Sequence, residues 1–222
     1  MLQFFAKYKF FGIVLAILSI FIIFSIYSVL KPVQKLKIYQ PADFNAEVVD
    51  TTLQHIKKYH TIADFSLINQ NGETVTEDDY KDKIYVADFF FTTCQTICPI
   101  MTDNMGIIQE RMKNDASVML LSHSVTPEID SVAQLKKYAV EKGVKNSKWN
   151  LVTGDRKQIY DLARKSYLAV RDVPETQQYD MIHTENFILV DTQKRIRGIY
   201  DGTNTEEIEK LLEDIKILKM ER

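Results

Sequence analysis

The 222-residue chain is 45% hydrophobic and 11% aromatic, enough apolar material for one packed domain with appendages, which excludes disorder as its main theme. Its formal charge is −2, but the first 40 residues hold five lysines and no acid, so residues 41–222 carry 23 basic against 30 acidic groups, a balance of −7. An acidic domain gives nucleic-acid binding no electrostatic support and leaves open the steering of cations or of basic partners.

Phe10 to Leu30 contains no charged residue, and as a helix rising ~1.5 Å per residue it would span ~31 Å of hydrocarbon. This predicts a single transmembrane anchor over 10–30, uncleaved, because no small-residue exit site follows the apolar run. Lys7 and Lys9 on one side balance Lys31, Lys35 and Lys37 on the other, so lysine counting does not orient the anchor. The short segment 1–9 lacks the Arg and Ser of a mitochondrial presequence, which favours a bacterial membrane. Residues 31–61 mix Lys, Pro32 and Pro41 without a period and read as a tether. Within it His55 and His60 have no companion ligand and are expected on the surface.

The folded domain is expected over 62–222. Phe65 to Thr76 places Asn71-Gly72 between two extended pieces, a hairpin signal. Ile84 to Phe91 is a β-branched and aromatic run suited to a strand covered on both faces. It leads directly to Cys94 and Cys98, the only cysteines of the chain. Cys98, Met101, Met105, Ile108 and Met112 then recur at steps of three and four, one apolar helix face with Pro99 in its first turn. A strand over Ser117–Leu121, a helix around Ser131–Glu141 ended by Gly143, a short strand over Trp149–Val152 and a helix over Asp155–Leu168 follow. Val170 to Met181 is a polar excursion; Phe187–Val190 and Ile196–Tyr200 are strands, and Thr205–Lys219 closes the chain as a helix. This order predicts an α/β, thioredoxin-like three-layer sandwich with an N-terminal β-hairpin and the cysteines at a strand-to-helix junction.

That junction suits thiol chemistry. A helix N-terminus offers unpaired N–H groups and a positive dipole end, both of which favour the thiolate that binds metal or attacks a disulfide. At i and i+4 the two sulfurs can reach a common point, to close a short disulfide or to hold one soft ion such as Cu(I), which His183 could complete. Met101 and Met105 read as core, because a helix burying one stripe needs apolar residues there.

Val86-Ala87-Asp88-Phe89-Phe90-Phe91-Thr92-Thr93-Cys94-Gln95-Thr96-Ile97-Cys98-Pro99, then Ser124-Val125-Thr126-Pro127-Glu128-Ile129-Asp130, then His183-Thr184 leading into Phe187–Asp191, together resemble the Sco/SenC proteins. The resemblance covers about residues 60–218. It implies a membrane-anchored copper metallochaperone that serves the CuA site of cytochrome c oxidase, with Cys94, Cys98 and His183 as copper ligands, a set suited to Cu(I) and also able to hold Cu(II). Implied partners are subunit II of the oxidase or a similar cuproprotein, the membrane and an upstream copper donor. The implied location is a bacterial inner membrane, crossed once, with the C-terminal domain in the periplasm. Thr126 stands where family members usually carry Asp, and Ile182 where Asp often precedes the histidine; neither is a ligand position in that pattern. Two alternatives stand beside copper delivery: a thiol–disulfide oxidoreductase with Cys94 and Cys98 as its redox pair, and a zinc site with His123 as fourth ligand.

Overall fold

The computed structural model describes residues 8–30, 35–44, 52–169 and 184–221. The chain divides into two compact units, Met1–Gln34 and Lys35–Arg222. In the first, α1 (Lys9–Leu30) is a continuous helix, long and apolar enough over Lys9–Tyr27 to cross a membrane.

The second unit is built on a seven-stranded mixed sheet. Its strands are β1 (Ser66–Asn69), β2 (Thr74–Thr76), β3 (Ile84–Phe90), β4 (Val118–Ser124), β5 (Trp149–Thr153), β6 (Asn186–Val190) and β7 (Ile196–Asp201), in the spatial order β2-β1-β5-β4-β3-β6-β7. β3, β4 and β5 are parallel, whereas β1 joins β5, and β6 joins β3, antiparallel. The expected hairpin forms, with Gly72 at φ 80, a conformation open to glycine without Cβ strain. β3 is buried along all seven residues, as a strand flanked on both edges and covered on both faces must be.

Helix α2 (Ile97–Arg111) links β3 to β4, and α3 (Val132–Glu141) links β4 to β5. Both crossovers step the same way across the sheet, so the right-handed rule puts both helices on one face. Thr102 of α2 and Tyr138 of α3 share a 2.8 Å hydroxyl hydrogen bond, and Tyr138 packs on Phe90 at 5.6 Å between ring centres. The methionine stripe is core: Cys98, Met101, Met105 and Ile108 are buried and Met112 partly so, with Met101, Met105 and Ile108 each worth roughly 1.5–3 kcal/mol of burial. The opposite face is covered from α4 (Arg156–Asp161) and the wide turn Leu162–Ser166 that follows it, because Tyr167 packs edge-on against Phe89. α5 (Thr205–Met220) buries Ile208, Leu211, Leu212, Ile215 and Leu218, the stripe read from the sequence.

Three expectations are corrected. The helix expected to Leu168 gives way after Asp161, because the backbone widens until Tyr167 N–H bonds Leu162 O and Leu168 takes φ 53. The second strand runs to Ser124 rather than Leu121, since its polar side chains find partners inside the sheet. His60 is not on the surface: it is buried, with Nε2 2.8 Å from Ser166 O and its backbone N–H on Gln40 Oε1 at 3.0 Å. Within the stretch expected as a tether, residues 36–39 are tied to the sheet. Tyr39 N–H donates to Ile196 O, and the buried Arg197 donates to the carbonyls of Leu36 and Lys37 while pairing with Asp191 and Glu221.

Candidate functional site

β3 ends at Phe90 and α2 begins at Ile97, and the turn between them carries Cys94, whose N–H donates to Phe91 O at 3.3 Å. Cys98 is the second residue of α2 and lies buried under it, whereas Cys94 is only half-buried. Both are free thiols. The Cys98 backbone N–H donates to Cys94 Sγ at 3.4 Å, and the Thr96 hydroxyl lies 3.6 Å from the same sulfur. The first turn of α2 therefore aims its unpaired donors at one sulfur, as the spacing predicts.

The two thiols are made unequal. Burial works against a Cys94 thiolate, but hydrogen bonds from the Cys98 thiol, from the Thr96 and Cys98 backbone N–H groups and from the Thr96 hydroxyl outweigh it, bringing its pKa down to about 7. Burial, and then donation to Cys94, push Cys98 up to about 12. Near neutral pH the pair is an accessible, partly ionised sulfur backed by a buried protonated one.

Two buried carboxylates not assigned to the site from the sequence bear on the pair: Asp130 supports the turn, and the charge of Asp88 acts on Cys98. Asp130, fully buried, accepts from Thr92 N–H (3.2 Å), Thr92 Oγ1 (2.5 Å), Ser124 Oγ (2.6 Å) and Thr126 Oγ1 (3.1 Å). It fastens the turn before Cys94 to the β4–α3 loop. Thr126, the departure from the family string, is thus one of its donors. The Thr-Pro-Glu-Ile-Asp string was visible in the sequence, but only the fold shows its last residue reaching back 38 positions to Thr92. Asp88 lies on β3, on the face that carries Phe90. It is buried, hydrogen-bonds Ser122, and is pushed up to about 7 by burial, with Oδ1 unpartnered among the described residues. A lone acid in the run Val86-Ala87-Asp88-Phe89-Phe90 was its signal.

His123 is not a further ligand. It pairs in register with Phe89, on the sheet face opposite Asp88 and Phe90, since neighbouring strand residues alternate sides. Its ring stacks on Phe89 at 4.8 Å and meets Tyr167 and Phe65 edge-on, with Nδ1 3.2 Å from Asp88 O. Burial pushes it down to about 4, which keeps it neutral. Enclosed by Phe89, Tyr167 and Phe65 on that face, the ring is placed as a packed core residue, which speaks against the zinc reading that used His123 as a fourth ligand.

His183 lies outside the described residues. The flanks of its segment are joined, because Asn186 Nδ2 donates to Ala169 O at 3.4 Å. Beyond it, Glu185 O accepts from Gly202 N–H while Gly202 O accepts from Asn104 of α2. A Cβ on Gly202 would meet Phe187 at 2.6 Å and Glu185 O at 2.9 Å, so this close approach requires glycine. β6 thus starts beside the C-terminal end of β3, anchored to the helix that carries Cys98.

A mixed sheet covered on both faces, with a dithiol where a central strand meets its helix, defines a thioredoxin-like domain with a two-cysteine site. Residues 53–219 match the SCO1/SenC family, and the chain belongs to it. It is 33% identical over 159 residues to the SCO1 protein homolog of Bacillus subtilis, covering 71% of this chain and 82% of that one. Among solved structures it is similar to BsSco, described as having a disulfide switch and as a member of the Sco family of cytochrome c oxidase assembly proteins. That match is 32% identical, covers 72% of this chain and 93% of the other, and has a TM-score of 0.62. It is also similar to Arabidopsis thaliana ScoI with copper bound, at 26% identity, covering 69% and 97%, with a TM-score of 0.56.

Proposed function

We propose that this chain is a membrane-anchored copper metallochaperone that delivers copper to, or prepares, the CuA site of cytochrome c oxidase, holding its cargo on Cys94, Cys98 and His183. The observation that carries this reading is the unequal thiol pair: a soft donor with a pKa near 7 at the surface and a second sulfur directly behind it. Two sulfurs and one imidazole make a three-coordinate soft site suited to Cu(I), and an open site permits the ligand exchange that handover needs. The partly ionised Cys94 would take the ion first. Cys98 would then release its proton on binding, since a coordinating thiol is deprotonated. Support from relatives is the copper bound by Arabidopsis ScoI and the oxidase assembly role stated for the Sco family. α1 would anchor the chain in a bacterial inner membrane, with segment 1–9 in the cytoplasm and the domain in the periplasm, where oxidase copper is loaded.

The same asymmetry supports a second reading as a thiol–disulfide reductase. Cys94 thiolate attacks a partner disulfide and forms a mixed disulfide as one partner sulfur leaves. Cys98 then attacks Cys94 Sγ, releasing the second partner sulfur, so the partner is reduced by two electrons and Cys94–Cys98 is oxidised.

Anaerobic titration with Cu(I) tests the assignment: a single ion is expected to bind tightly, and Cys94→Ser, Cys98→Ser and His183→Ala are each expected to weaken it more than about 100-fold. Unchanged affinity in His183→Ala removes that ligand from the proposal. Copper-free reduction of an oxidised CuA-domain peptide, with no copper binding, would establish the second reading instead.

A further inference from the structure

Away from the thiols, a cleft of about 560 Å³ lies along the segment that leads into the domain, where Ile38, Lys57, Lys58, Tyr59, Gln193 and Arg195 face each other. Among the described residues no carboxylate lines it, although residues 41–222 carry an excess of seven acids. Arg195 is occupied by Asp191, but Lys57 and Lys58 have no ion pair among the described residues. Between them and His60, Tyr59 is 92% exposed and holds φ 67, a left-handed conformation costing a non-glycine residue roughly 1–3 kcal/mol. The ring is thus held outward, against local backbone preference, with two free ammonium groups beside it and Ile38 partly exposed near by.

We propose that this cleft docks on anionic phospholipid, with Lys57 and Lys58 on headgroup phosphates and Tyr59 seated at the interface. A basic pair beside a tyrosine is the side-chain chemistry of such interfaces. Lipid is favoured over an acidic protein by chain length. The backbone of Leu36 is fixed to the domain by Arg197 and Glu221, and five residues separate it from Leu30, so even a fully extended connection reaches only about 20 Å. The proposal rests on the reading of α1 as a membrane anchor.

The test uses the full chain carrying Tyr59→Trp, reconstituted in lipid nanodiscs with brominated acyl chains. Trp149, 1% exposed, supplies a buried background. The introduced indole is expected to be quenched in discs containing phosphatidylglycerol, much less in pure phosphatidylcholine discs, and less again as salt is raised. Lys57→Gln with Lys58→Gln is expected to lower the docked-to-free ratio about 30-fold while the circular dichroism spectrum is unchanged. A chain found in the discs whose indole is quenched equally in both lipids, or in neither, overturns the proposal. So does an acidic protein domain protecting both lysines without lipid contact. A chain that fails to enter the discs at all overturns the anchor reading, and the docking proposal with it.

Discussion

Asp130 and Asp88 are buried carboxylates that follow and precede the cysteine turn in the chain, and the fold treats them in opposite ways. Asp130 receives four donors and joins the Thr92 turn to the β4–α3 loop. Asp88 has Ser122 and an unpartnered oxygen, so burial leaves it holding a proton up to about pH 7. A buried charge that is fully paired acts as a fastener, whereas one that is underpaired becomes a proton store. The turn that carries Cys94 is held by the first, and the second acts through its charge on Cys98.

Asp130 is expected to give the largest effect. Asp130→Ala leaves four donors without their acceptor and is expected to cost about 3 kcal/mol, read from the urea midpoint, and to loosen Cys94 toward faster alkylation. A loss below about 1 kcal/mol would show that the turn is held otherwise.

Asp88 gives a subtler effect that depends on pH. Its folded value, about 7 against an ordinary 3.8, means the native protein keeps a proton that the unfolded chain releases. This contribution is fully present below about pH 4 and is lost as pH rises through 7. Wild-type stability is therefore expected to fall between pH 5 and 8 by roughly 2–3 kcal/mol through this group, and Asp88→Asn to flatten that slope. An unchanged slope would remove Asp88 as its source.

The smallest effect is expected at His123, whose ring is neutral and stacked with Nε2 unpartnered among the described residues. His123→Phe replaces it with an apolar ring of similar shape and is expected to change stability by less than about 1 kcal/mol, with copper binding intact. Loss of copper in this variant would restore His123 as a ligand.

Much of the architecture was legible because periodicity and turn chemistry act locally. The run Ile84–Phe91 could only be a buried strand, Asn71-Gly72 could hardly be other than a turn, and the methionine stripe fixed the inner face of α2. The cysteine pair was legible for the same reason, since its junction is local. What the sequence hid depends on distant partners. His60 looks like a surface residue until Ser166 O, 106 positions on, meets it. Asp130 reads as one acid in a loop until Thr92 arrives across the sheet. The early end of α4 follows from a widened turn that no single residue announces. His183, just before the strand that starts near Phe187, was a candidate from the sequence that the resemblance strengthened, and it lies outside the described residues.

In the proposed function the two unequal thiols and His183 would hold a single copper ion. X-ray absorption at the copper edge of the Cu(I)-loaded full chain tests it most directly. The account predicts two sulfur neighbours at equal distance and one light imidazole scatterer, with the imidazole signal lost in His183→Ala. A spectrum with fewer than two sulfurs, or one unchanged by His183→Ala, would contradict it.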